Sequence, residues 1–104
     1  MKILTDGHRY ELPNFESPES DGQIIQFIQK EPSGNLSGEL QTVFDGTTNE
    51  AVLEVLVDRL NFLQKAFPCR ENALAITHIE TALLWLNKRT ADRVKRNVEG
   101  RHIA

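Results

Sequence analysis

The sequence predicts an α+β fold: a small amino-terminal antiparallel β-sheet followed by a long antiparallel two-helix hairpin. Three observations predict it. Residues 1–45 hold short, β-branched runs separated by turn residues, residues 47–100 hold apolar residues at three- and four-residue steps, and Pro68 interrupts that helical pattern. At 104 residues, with 39% hydrophobic and 26% charged content, the chain 1–104 has the size and composition of one globular domain.

Taken in order, Lys2–Thr5 and Arg9–Leu12 flank Asp6-Gly7, a dipeptide that tolerates the left-handed backbone of a tight hairpin turn. A polar link follows from Pro13 to Gly22. Gln23–Gln29 is β-branched and roughly alternating and reads as one strand; the Gly- and Ser-containing turn region Pro32–Gly38 returns the chain to a second strand, Leu40–Phe44. Thr47 and Glu50 have the spacing of a capping box, which satisfies the free amides of a first helical turn. A helix is expected from there to about Ala66, with Leu53, Leu56, Leu60, Leu63 and Phe67 on one seam. Pro68 ends it, because proline lacks an amide hydrogen and restricts the residue before it. The second helix starts near Arg70, carries Ile76, Ile79, Leu83 and Leu86 on its own seam, and stops close to Gly100. The short link between the helices forces an antiparallel hairpin.

Composition excludes several function classes. There is no apolar run of about twenty residues and no charged stub followed by an apolar block at the amino terminus, so a cytoplasmic, unprocessed protein without a membrane partner is expected. The lone Cys69 has no internal partner for a disulfide, and His8, His78 and His102 are scattered, which leaves no metal-ligand spacing and no nucleophile–base pair. No enzyme activity and no cofactor are expected. Net charge is −3, yet residues 88–101 carry six basic residues against two acidic ones, while the rest carries six against thirteen. An acidic chain repels long polyanions, whereas a local basic cluster still holds a few phosphates; this leans against duplex nucleic acid. A chain of this size that spends its residues on an extended hairpin gains from a partner subunit, so a homo-oligomer is expected.

Some residues lie off the seams. At 100° per residue Phe62 projects about 140° from the first seam, and His78, Trp85, Arg89 and Arg96 cluster away from the second, with Arg93 beside them. Arginine forks bind phosphate and aromatic rings stack on bases, so these side chains describe a nucleotide-shaped surface. The same residues also fit plainer roles: Phe62 and Trp85 at a subunit interface, and the arginines as a solvated face that complements the helix dipole. A third reading is a nucleic-acid-binding module that lays the basic carboxy-terminal helix along a phosphate backbone.

Two stretches shift the balance among these readings toward the first. The run Phe67-Pro68-Cys69-Arg70-Glu71-Asn72-Ala73, followed by Ala82 to Val94 (ALLWLNKRTADRV) and by Val98-Glu99-Gly100, resembles the hairpin domain of phage nucleotide sponges that act against CBASS and Thoeris defence. Met1 to Phe15 and Phe44 to Glu50 (FDGTTNE) resemble the first-described anti-Thoeris branch, so the resemblance spans nearly the whole chain. It implies sequestration without chemistry, in the cytoplasm of the bacterial host, of glycocyclic ADP-ribose made by Thoeris TIR enzymes. Some members of that family form hexamers, as trimers of dimers, and hold cyclic di- or trinucleotides at separate sites. The resemblance assigns Phe62, Asn72, Arg89 and Arg93 to the ligand pocket, the ring stacking on adenine and the arginines meeting the diphosphate. Asn72 and Arg89 are separated by 17 positions on one predicted helix. That is about 26 Å at 1.5 Å per residue, too far for both to grip one small nucleotide. Two hairpins packed antiparallel would bring Phe62 and Asn72 of one subunit beside Arg89 and Arg93 of the other, with two pockets per dimer.

Overall fold

The computed structural model describes residues 1–34 and 38–96, and the chain divides after Thr48 into a β unit and a helical unit. The architecture is α+β, in the expected order of antiparallel strands followed by two helices.

The β unit begins with β1 (Lys2–Thr5), β2 (Arg9–Leu12) and β3 (Gln23–Gln26), which form an antiparallel sheet in the order β1-β2-β3. Gly7 makes the first turn possible, with φ at +73°, and the His8 amide closes it on the Thr5 carbonyl at 3.0 Å. Ile3 lies opposite Tyr10 and Tyr10 opposite Ile25, so alternation puts an apolar file across one face. Tyr10 also meets Phe27 edge to face, ring centroids 5.9 Å apart.

Gln23–Gln29 is not one strand. β3 stops at Gln26, and Gln29–Pro32 forms a separate strand, β4, which pairs antiparallel with β5 (Leu40–Phe44) in a second, two-stranded sheet. Pro32 therefore closes a strand instead of opening the turn. The break has a long-range cause. The Phe27 amide donates to the His8 carbonyl at 2.7 Å, and Ile28 donates to Thr47 at 2.9 Å, so the chain leaves β3 to meet the segment entering the first helix. Gly46 permits that meeting, because a side chain there would collide with the backbone of Gln26 and Phe27.

The same contact corrects the capping box. Thr47 donates its amide to Gln26 at 2.8 Å, accepts from Ile28 through its carbonyl, and pairs with Phe27 in a parallel bridge. It is held as extended chain, and α1 begins two positions on, spanning Asn49–Ala66, with Thr48 immediately before it.

The helical unit consists of α1 and α2 (Arg70–Lys95), 18 and 26 residues long, packed on each other through their seams. Those lengths correspond to about 27 and 39 Å at 1.5 Å per residue. The seam of α1 differs from expectation at two positions. Leu53, Leu60 and Leu63 are half-buried, but Leu56 is exposed and Phe67, beyond the helix end, is 81% exposed. Val57 and Gln64 take part instead, completing a 53-57-60-64 stripe at three- and four-residue steps. On α2 the half-buried stripe runs Asn72, Ile76, Ile79, Leu83, Leu86, Thr90 and Arg93, a strict alternation of four and three. Helix α2 ends at Lys95, and the Arg96 amide caps it on the Asp92 carbonyl at 3.0 Å. Gly100 lies outside the described residues. No described residue is fully buried in either unit.

Candidate functional site

The hairpin places the four expected ligand residues at opposite ends of the helical unit. Phe62 stands near the carboxy-terminal end of α1, 67% exposed, because it points away from the 53-57-60-64 stripe that α2 covers. It lines an open groove of about 690 Å³ with Ala51, Glu54, Val55, Asp58 and Arg59. Asp58 precedes Phe62 by one helical turn, so a ring stacked on Phe62 would have that carboxylate at its edge. Two carboxylates against one guanidinium make this end unfavourable for phosphate and suitable for an aromatic base with amine donors.

Asn72 sits in the first turn of α2, half-buried, across the Pro68 turn from Phe62. Its amide donates to the Sγ of Cys69, the N-cap, at 3.4 Å, and no hydrogen bond among the described residues holds its side-chain amide. The turn is closed from α1 by Gln64, whose Nε2 donates to the Cys69 carbonyl at 2.9 Å while its Oε1 accepts the Cys69 amide at 3.1 Å.

The basic residues lie at the other end. Arg89 is exposed and lines a shallow depression of about 260 Å³ with Trp85, Lys88, Asp92 and Arg96. Lys88 is held by Asp92 at 2.9 Å, an exposed pair one turn apart. Such pairs contribute roughly a few tenths of a kcal/mol, and this one also spends the acidic residue that would otherwise meet the arginines. Arg89 and Arg96 form no ion pair among the described residues and retain their donors. Arg93 was expected among the residues turned away from the second seam. It is half-buried instead, because it takes the last step of the 72-76-79-83-86-90-93 stripe. Trp85 is 66% exposed, one turn before Arg89.

Phe62 and Asn72 therefore lie at the same end of the hairpin but on different faces, Phe62 exposed and Asn72 on the half-buried stripe, and Arg89 and Arg93 share the last turns of α2. The two pairs are not brought together within one chain. Asn72 and Arg89 belong to one uninterrupted helix, Arg70–Lys95, which keeps them about 26 Å apart at 1.5 Å per residue. Gln64 is the turn residue that the sequence reading passed over. Its signal is the four-residue step from Leu60, which a search for apolar residues alone discards.

The model of the Acb2/Tad1 hairpin domain matches residues 24–91, which includes Phe62, Asn72 and Arg89. The chain belongs to the Acb2/Tad1 hairpin family. Within it, the chain is similar to Thoeris anti-defense 1 of Bacillus phage SBSphiJ7, 52% identical over 59 residues. That alignment covers 56% of this chain and 42% of the phage protein, so the chain matches less than half the length of its relative. The matched span of the hairpin model contains all of β3 but Gln23, then β4, β5, all of α1 and most of α2, and it stops before Arg93.

Proposed function

We propose that this hairpin protein is a phage anti-defence sponge, which binds a cyclic ADP-ribose isomer, glycocyclic ADP-ribose, in the host cytoplasm and withholds it from a Thoeris effector without degrading it. The observation that carries the reading is the 52% identity to a Thoeris anti-defense protein within the hairpin family. The division of chemistry between the hairpin ends supports it. Phe62 and Asn72 form an aromatic, amide-bearing end with carboxylates at its rim, suited to adenine. Arg89 and Arg93 form a cationic end suited to a diphosphate, where forked guanidinium bonds are shorter and stronger than neutral ones. A ligand with a base and a diphosphate needs both ends, and two antiparallel hairpins supply both from different subunits. Dimers, assembled further as trimers of dimers, are the proposed form, and cyclic di- or trinucleotides would occupy other sites.

Calorimetry with a panel of cyclic ADP-ribose isomers, cyclic oligonucleotides and a short DNA duplex tests this directly. Saturable uptake of glycocyclic ADP-ribose is expected, with intact nucleotide recovered after heat denaturation. Accumulation of a hydrolysed product with incubation time would establish an enzyme instead. Preferential uptake of the duplex would favour a nucleic-acid module built on Trp85, Arg89 and Arg96.

A further inference from the structure

We infer that Gln64 is a positioning residue for the proposed pocket, a latch that sets Asn72 relative to Phe62. This inference rests on the sponge reading for its ligand and on the geometry of the turn for its mechanism. Gln64 occupies the last step of the α1 stripe, where packing alone would favour leucine. Both bonds of its side-chain amide go to one residue, the N-cap of the next helix, as donor to the Cys69 carbonyl at 2.9 Å and acceptor from the Cys69 amide at 3.1 Å. Cys69 is the residue from which α2 starts. Its carbonyl also accepts the Ala73 amide at 3.2 Å, and its Sγ accepts the Asn72 amide at 3.4 Å.

A chain of short contacts thus runs from α1 through Gln64 and Cys69 to the backbone of Asn72. Phe62 stands two residues before Gln64 on rigid helix, and Asn72 three residues after Cys69. Since no hydrogen bond among the described residues aims the Asn72 side chain, its direction is set by the first turn of α2, and that turn is set by Cys69. Pro68 adds to the need for a latch. It has no amide hydrogen, so the turn can be tied by side chains or by the neighbouring amides only. Glutamine is the side chain that suits the task, with an amide that both donates and accepts at a reach that spans the turn; leucine would fill the seam and leave the turn untied.

The test compares Gln64→Leu and Gln64→Glu with the parent in the full chain. Gln64→Leu keeps the seam packed, so its thermal midpoint should hold or rise, while amide exchange at Cys69 should accelerate and affinity for glycocyclic ADP-ribose should fall, each about tenfold, the scale of one well-made hydrogen bond. Gln64→Glu retains an acceptor for the Cys69 amide and should recover part of both. A purely structural glutamine would move the thermal midpoint and the affinity together, and that result would overturn the latch. Parental affinity in Gln64→Leu, or unchanged exchange at Cys69, would overturn it as well. A parent protein that takes up none of the nucleotides would instead bring down the sponge reading, a separate result that needs no variant to recognise.

Discussion

Arg89 and Arg93 are one turn apart on α2 but stand in different surroundings, and a comparison of the two separates binding from folding. Arg89 is exposed and unpaired among the described residues, so Arg89→Ala should weaken uptake of glycocyclic ADP-ribose by roughly 1.5–3 kcal/mol, the scale of charge-assisted hydrogen bonds, and leave thermal unfolding unchanged. Arg93 takes the last step of the half-buried stripe, so in the proposed pocket its aliphatic stem would pack while its head binds. Arg93→Ala should cost a similar amount of affinity and also lower the unfolding midpoint. Phe62→Ala should cost roughly 1–3 kcal/mol of affinity through lost stacking, with no loss of stability, since the ring is 67% exposed. Calorimetry paired with thermal melts reads both quantities. Normal binding by folded Arg89→Ala and Phe62→Ala proteins would mean the pocket lies elsewhere.

At the scale of elements, the parts of the fold set by local chemistry were legible, and the parts set by distant partners were not. The Asp6-Gly7 hairpin, β5, the stop at Pro68 and the stripe of α2 follow from turn chemistry and periodicity. The division of Gln23–Gln29 between two sheets follows from bonds to His8 and Thr47, which no window of neighbouring residues reveals. On α1 the strongly apolar Leu56 and Phe67 lie off the buried stripe, whereas the less apolar Val57 and Gln64 have the better phase. For the candidate site, off-seam angles identified Phe62 and Arg89 as exposed, whereas the inward position of Arg93 required the whole stripe to be visible. The crossing of the Phe27 and Thr47 segments makes a prediction of its own. Gly46→Ala places a methyl group against the Gln26 carbonyl, backbone that cannot rotate aside, and should destabilise the β unit by roughly 1–3 kcal/mol, the cost of overpacking a closed site. Chemical denaturation followed by β-sheet circular dichroism measures it, and a neutral result would mean that the segment entering α1 moves freely.

At the scale of the whole molecule, no described side chain is fully buried, and Leu84 and Trp85 stand at least 66% exposed on the helical unit. Aromatic and aliphatic surface of that kind gains most from a second subunit, and an uninterrupted α2 keeps the two halves of the proposed pocket apart in one chain. Both considerations lead to the same experiment. In the proposed dimer, Asn72→Ala would remove the amide end of both pockets and Arg89→Ala part of the cationic end of both, so each variant alone should bind poorly. Unfolded and refolded together, the two variants form heterodimers in which one pocket receives both lesions and the other combines intact Phe62 and Asn72 with intact Arg89 and Arg93. Random exchange yields about half heterodimers with one good pocket each, so roughly a quarter of parental capacity should return at parental affinity. Titration with glycocyclic ADP-ribose after exchange, with mixing confirmed by native mass spectrometry, gives the count of recovered sites. A mixture that exchanges fully and recovers none would place every pocket within a single chain, and the 26 Å separation along α2 would then require the ligand to use one end of the hairpin alone.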